Sequence, residues 1–241
     1  MLENITQFFV NGYLNIIIAV LLAYLLGSLN FSIIITKIVT KGQDIRTMGS
    51  GNAGFTNVLR CVGKWASVAT ITLDFAKGVI ATLVGGILFS QVPVDAVLPD
   101  EIGSYGQYIC GFVAIIGHML PLYFNFRGGK GVVCTAALIA VINIKVLAIL
   151  LLVFGIIFII TKIISISSLV ASGLFPIAAF ISTYYFEYLP SQADKVSYSI
   201  MYVVVATVFA MFVTTFVFVK HKENIKRLKN GTEKKITAKK K

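Results

Sequence analysis

Gly49, Gly51 and Gly54 fall within six residues of one another in Gly49-Ser-Gly-Asn-Ala-Gly-Phe-Thr-Asn-Val-Leu-Arg60. Glycine takes positive φ without steric cost, so such a stretch can turn several N–H groups towards one point. A concave set of donors of this kind binds anions, phosphate above all. Ser50, Asn52, Thr56 and Asn57 add neutral hydrogen-bonding groups, and Arg60 brings a planar fork that fits two oxygens. The device recurs at Gly128-Gly-Lys-Gly131, where Lys130 supplies a point charge beside further backbone amides. This second loop is not a nucleotide P-loop, because Gly131 stands where Ser or Thr should follow the lysine. Each loop alone also reads as a structural turn, the first juxtamembrane and the second helix-initiating. Their recurrence is what favours phosphate.

Three residue pairs carry further chemistry. Asp74 and Lys77 lie three apart in an apolar run, so on a helix they share a face and can neutralise each other. Charges inside a membrane are costly, and are either functional or paired; pairing is narrowly the better account here. Ser165 and Ser168 are one helical turn apart, as are His221 and Asn224. The serines also suit a close helix contact in lipid, and the His221 segment suits a solvated helix on anionic headgroups.

Of the 241 residues, 57% are hydrophobic and 13% charged, with a mean hydropathy of +0.89, which makes this an integral membrane protein by composition. The net charge of +11 does not point to nucleic acid, because the cations fall between apolar runs and in the tail, as membrane topology requires. Cys61, Cys110 and Cys134 fit neither a disulfide framework nor a zinc pattern and read as packing residues, and no ligand cluster suggests a metal.

The chain is expected to be an all-α bundle of about seven transmembrane helices, some short or partly inserted, forming one domain over 1–241 with a basic tail at 228–241. Ile16 to Thr36 has no charge and is long enough to cross; Lys37, Lys41 and Arg46 follow, which puts the N-terminus outside and the first glycine loop in the cytoplasm. Trp65 to Phe89 is interrupted by Asp74 and Lys77 and reads as a partly inserted helix to about Leu73, then a span. Gln91 to Tyr105 reads as an outside loop and Tyr108 to Phe126 as the return. Val132 to Ile160 reads as two short helices folded back at Asn143. The next span opens at Ile163 and ends near Tyr185, a loop runs from Glu187 to Lys195, and Ser199 to Val219 crosses last. Six of ten acidic residues (Glu3, Asp95, Asp100, Glu101, Glu187, Asp194) then fall outside, and nearly all cations inside. Every glycine-rich loop lands on the cytoplasmic side.

Six motifs occur in order: Gly49-Ser-Gly-Asn-x-Gly-x-Thr-Asn-x-x-Arg60, Leu73-Asp-Phe-x-Lys-Gly78, Gly117-His-x-x-Pro121, Phe126-x-Gly-Gly-Lys-Gly-Val132, Ser165-x-x-Ser168 and His221-x-x-Asn224-Ile-x-Arg227. Together they resemble the bacterial acyl-phosphate:glycerol-3-phosphate acyltransferases of the PlsY type, from about Gly27 to Glu233. The resemblance implies transfer of a fatty acyl group from acyl phosphate to the 1-hydroxyl of glycerol 3-phosphate, giving lysophosphatidic acid. It implies a multi-pass enzyme of the bacterial plasma membrane without cofactor; the chain is further expected to be monomeric, with its basic tail meeting anionic lipids. Carried over residue by residue, it implies catalytic roles for Ser50, Arg60, Lys130, His221 and Asn224. Gly49, Gly51, Asn52, Asn57, Gly128, Gly129, Gly131 and Ser168 would hold substrate phosphate, with Asp74, Lys77 and Ser165 as secondary candidates. Asn30, Phe55 and Val133-Cys134 depart from the family pattern, and Phe55 and Cys134 are expected beside substrate contacts.

Acyl phosphate is a mixed anhydride with a good leaving group, so such an enzyme chiefly positions two phosphates and excludes water. Two anions repel, which explains two loops plus Arg60 and Lys130. No His or Asp adjoins Ser50 to activate it, so direct attack by the glycerol hydroxyl is favoured over an acyl-serine. A donor phosphate oxygen, ahead of His221, would take the proton. Neither histidine starts the His-x-x-x-x-Asp pattern of acyl-CoA enzymes, since Tyr123 and Lys226 stand at that spacing. The alternative from another class is a transporter or flippase for a phosphorylated metabolite, which predicts polar residues deep in several spans and repeated halves.

Overall fold

The computed structural model describes residues 2–94, 97, 99–193 and 198–236, and among them the secondary structure is helical, with no strand. Six stretches are long and apolar enough to cross a membrane, and Val132–Ile142 adds a seventh, shorter apolar helix. With no water to hydrogen-bond the backbone in lipid, helices satisfy it internally.

The uncharged run at the start is not one helix. α1 (Leu2–Ser28) stops, and α2 (Phe31–Val39) starts after Asn30, whose Oδ1 accepts the Ile33 N–H at 3.2 Å. A buried N-cap thus opens a second helix inside an apolar window where charge counting sees nothing. After a 3-10 turn at Ile45–Thr47 come α3 (Phe55–Cys61) and α4 (Lys64–Ser90). α4 is one continuous helix, so the expected division near Leu73 does not occur: Asp74 and Lys77 are buried against each other at 2.8 Å and need no break to reach water. α5 (Pro99–Met119) occupies half of what reads as an outside loop. Its proline opens the helix and Asp100 and Glu101 lie in the first turn, where carboxylates favour the helix dipole. It also ends earlier than expected, at Met119, and a 3-10 turn at Leu122–Phe124 leads into the second glycine loop.

The fold-back at Asn143 occurs as the sequence predicts, but only its first arm is short. α6 (Val132–Ile142) and α7 (Ile144–Thr161) meet there, and the Asn143 side chain accepts the N–H groups of Lys145 and Val146 at 3.1 and 3.0 Å. α7, at 18 residues, is long and apolar enough to cross. α8 (Ile164–Ile181) continues through a π-helical segment, Ser182–Tyr188, into α9 (Leu189–Ala193), so the loop expected from Glu187 is helical as far as Ala193. Asp95, Asp194 and Lys195 lie outside the described residues, as does the end of the lysine-rich tail. α10 (Ile200–Lys220) and α11 (Lys222–Lys229) complete the chain.

α1, α4 and α5 pack against one another as a three-helix unit. The α4–α5 approach is close enough that a Cβ on Gly106 would lie 2.3 Å from the Gly85 carbonyl oxygen. A second core joins α6, α7, α8 and α10 around Leu138, Leu147, Phe175 and Val213, and α5 reaches it through Ile115 and Met119. Glu101 and Glu187 are bonded by tyrosine and serine hydroxyls, Glu101 accepting from Tyr105 and Ser199 and Glu187 from Tyr202. With Asn143 Nδ2 donating to Glu187, they tie α5, α7, the π segment and α10 at the end opposite the glycine loops.

Candidate active site

The first loop is organised from within. Gly49 and Gly51 adopt φ of +59° and +70°, as the glycine reading requires. Asn57, expected as a phosphate ligand, instead holds the loop's shape. Its Nδ2 donates to the Ile45 and Met48 carbonyls at 3.1 and 2.9 Å, and its Oδ1 accepts the Ser50 N–H at 3.0 Å. Asn57 is buried with its amide bonded at both ends, leaving Ser50 exposed on the turn and Asn52 half-buried beside it.

The second loop lies directly against the first. A Cβ on Gly129 would sit 2.5 Å from the Ala53 carbonyl oxygen and 2.2 Å from His118 Nε2, so only glycine fits between them. The N–H groups of Gly128 and Gly129 donate to the Met119 and His118 carbonyls at 3.3 and 3.1 Å. These two amides therefore fix the loop rather than cup a phosphate as expected. The donors left for an anion are those that open α6, which have no carbonyl within the helix to bond. Gly131, in the left-handed region at φ +81°, turns the chain into that helix start.

Around it gather the side chains. Lys130 Nζ donates to Asn224 Oδ1 at 2.6 Å, and Asn224 Nδ2 donates to Glu233 Oε1 at 2.6 Å. Glu233 also accepts from Ser165 Oγ at 2.8 Å and Arg227 Nε at 2.6 Å. Burial pushes Lys130 down to about 8; Arg227 and Arg60 lower it too, against Glu233. Burial alone would raise Glu233, but the bonds from Ser165, Arg227 and Asn224 outweigh it and hold the carboxyl below its usual range. His221 is buried where α10 meets α11, its Nδ1 2.7 Å from the Val217 carbonyl oxygen. A carbonyl only accepts, which places the proton on Nδ1 and leaves Nε2 as the basic nitrogen. Burial, aided by the Lys130 charge, lowers His221 to about 4 and keeps it neutral near pH 7.

The segment after α11 straps this cluster down. Arg60 Nη2 donates to the Lys234 carbonyl at 3.3 Å, and the Ile236 N–H donates to the Lys162 carbonyl at 2.8 Å. The start of the basic tail is thus part of the site's roof. Below the cluster, a cavity of about 60 Å³ opens between α6, α7 and α8, lined by Val132, Ile139, Leu150, Phe154 and Phe175, with Ser168 and Thr135 on its wall. The Thr135 hydroxyl is buried with no hydrogen-bond partner.

Asp74 and Lys77 make none of the bonds of the Lys130–Asn224–Glu233 cluster, and His118 lies between them and Gly129. Lys77 Nζ donates to the Gly27 and Leu29 carbonyls at the end of α1, and Asp74 Oδ1 accepts the Phe31 N–H that begins α2 at 3.4 Å. The pair fills the α1–α2 break, with His118 Nδ1 3.1 Å from Lys77 Nζ. Cys134, expected beside substrate, is buried against α4, its Sγ 3.6 Å from the Asp74 carbonyl oxygen. Glu233 and Arg46, which bond directly to the site residues or to the loops that carry them, lie outside the sequence-derived set. A lone acid two residues after Gly231, in an otherwise basic tail, was the signal for Glu233.

A helical bundle that spans a membrane and collects cations and amide donors at one end, above an apolar cavity, defines a membrane-embedded enzyme for an anionic amphiphile. Residues 17–231 match the family model described as glycerol-3-phosphate acyltransferase. The glycerol-3-phosphate acyltransferase of Clostridioides difficile (strain 630) is 39% identical over 93% of this chain and 97% of its own. That of Enterococcus faecalis (strain ATCC 700802 / V583) is 33% identical over 93% of each. The crystal structure of PlsY, an integral membrane glycerol 3-phosphate acyltransferase in its glycerol 3-phosphate form, superposes with a TM-score of 0.73 at 31% identity, over 92% of this chain and 96% of that one. The chain belongs to the glycerol-3-phosphate acyltransferase (PlsY) family. It is an integral membrane acyltransferase for glycerol 3-phosphate, and the transporter alternative gives way to it.

Proposed function

We propose that the acyl donor is acyl phosphate and the product lysophosphatidic acid. The observation that carries this reading is the placing of two anion-binding loops in contact, at Gly129 and Ala53, over an apolar cavity that starts at Val132 and Ser168. One phosphorylated polar reactant and one phosphorylated lipid reactant are the pair such a site fits. A crystal structure of PlsY in its lysophosphatidic acid form, 30% identical with a TM-score of 0.71, supports this product. In the reaction, the glycerol C1 oxygen attacks the acyl carbon, the ester C–O bond forms, and the bond from acyl carbon to phosphate oxygen breaks. The hydroxyl proton passes to the departing phosphate. Lys130 and Arg60, with the α6 amides, offset the charge of the two phosphates, and Asn224 orients the Lys130 ammonium. Ser50 hydrogen-bonds a phosphate oxygen, with no acyl-serine formed.

The site end faces the cytoplasm and the N-terminus the outside of a bacterial plasma membrane, as the placing of cations supports. The chain works as a monomer and a single polytopic domain, and its basic tail meets anionic headgroups. The purified protein, given palmitoyl phosphate and glycerol 3-phosphate, should form lysophosphatidic acid and inorganic phosphate one for one. Palmitoyl-CoA or palmitoyl-acyl carrier protein in place of the donor should give none. A thioester donor that works as well would refute the donor assignment.

A further inference from the structure

Arg46 has no part in the anion cluster, yet it bridges the two loops that build it. Its Nη1 donates to the Phe124 carbonyl at 2.7 Å and to the Arg127 carbonyl at 3.2 Å. Its Nε and Nη2 meanwhile grip Asp44, at 3.0 and 2.7 Å, and Asp44 itself accepts the Arg46 N–H at 2.9 Å. The carboxylate thus fixes the guanidinium to the entrance of the first loop, leaving one nitrogen for the entrance of the second.

The segment it holds is unusual. Asn125 and Phe126, between the two bound carbonyls, both adopt left-handed φ, at +56° and +57°. Left-handed backbone disfavours L side chains, so two in succession persist only when neighbouring bonds over-determine them. Gly128 and Lys130 follow at once. Met119, His118 and the Gly129 contact hold the second loop from the membrane side, and Arg46 is its tie from the aqueous side.

We infer that Arg46 is a positioning residue which sets the spacing between the two phosphate-binding loops, and so the alignment of the glycerol hydroxyl with the acyl carbon. This rests on the two-phosphate reading above. Each loop keeps its internal bonds without Arg46, the first through Asn57 and the second through Met119 and His118. Each should therefore still bind its own phosphate, while their mutual placing loosens. Acyl transfer is steeply sensitive to such placing, since a misalignment of about 1 Å can cost on the order of a hundredfold in rate.

The test is steady-state kinetics of Arg46→Ala and Arg46→Lys in detergent, with both substrates varied. Arg46→Ala should lose roughly ten- to a hundredfold in kcat, while KM for each substrate stays within about threefold. Arg46→Lys, whose single ammonium cannot hold Asp44 and two carbonyls together, should fall between. Because Arg46 is only partly buried, guanidinium ion at tens of millimolar should restore part of the Arg46→Ala kcat and leave wild type unmoved. A wild-type kcat in both variants overturns the inference. A tenfold or larger rise in one KM with kcat unchanged also overturns it, by making Arg46 a direct ligand of that substrate. If Arg46→Ala does not fold, Arg46→Lys and Asp44→Asn carry the same split. An inactive wild type would instead sink the two-phosphate reading.

Discussion

Replacing Lys77 by methionine would test whether the buried ion pair holds the first helix break together. In the native protein Lys77 is 2.8 Å from Asp74, and both side chains are 3% exposed. Lys77 also donates to two carbonyls at the end of α1. Without it, the Asp74 carboxylate keeps only the Phe31 N–H and His118, at 3.4 and 3.7 Å, and the two carbonyls lose their donor. Removing one partner of a buried pair costs about 3–5 kcal/mol. For a chain of this length each kcal/mol moves the melting temperature by about 2–4 °C, so Lys77→Met should melt roughly 6–20 °C lower. Asp74→Asn should cost a similar amount. The double variant Asp74→Asn/Lys77→Met removes both charges, and should fall short of the summed losses by about 2 kcal/mol or more. The assay is thermal unfolding in one detergent, followed by tryptophan-independent dye binding at the cysteines or by loss of the monodisperse peak. Strictly additive single losses, or a Lys77→Met protein that melts with wild type, would refute the coupling and with it the assignment of the pair to the break.

Other outcomes follow from the site. Lys130 titrates at about 8 and is the charged form below that value, so kcat/KM should fall with rising pH above about 8, and Lys130→Arg should flatten that limb. Glu233 raises Lys130, so Glu233→Gln should move the same limb to lower pH; a limb that stays put removes Lys130 as its source. His221→Gln should keep single-turnover acyl transfer within about tenfold if the leaving phosphate takes the proton, whereas a loss of about 10² or more would make His221 the general base. Thr135→Val removes a buried hydroxyl without a partner and should raise stability by about 1 kcal/mol, read as a higher melting temperature.

Chain order, the two glycine-rich turns and the Asn143 fold-back were legible because apolar runs, cations and one polar residue between two runs are one-dimensional signals, whereas the loops expected at 91–105 and from Glu187 are partly helical. The α1–α2 break was not. Asn30 caps a helix inside a charge-free window, and the groups that make the gap tolerable, Asp74 and Lys77, come from α4 far along the chain. For the same reason those two residues suggested a divided α4, when they are there to serve α1 and α2. At the candidate site, residue types and spacing singled out two loops that the structure brings into contact, but not how each group is engaged. Asn57, Gly128 and Gly129 look like ligands in sequence because small and amide-bearing residues suit both a phosphate and a tight turn; here they make the turn. Arg46 looks like one more cation next to a span, and only the meeting of two distant loops gives it a role.

The unequal lengths of α6 and α7 set the depth at which the chemistry happens. α6 has 11 residues and α7 has 18, and they share the Asn143 end. At 1.5 Å per residue the start of α6 lies about 10 Å short of the far end of α7 if the two run side by side. The Lys130 end of the site, which opens α6, is set back by that distance from the end of the neighbouring span α7.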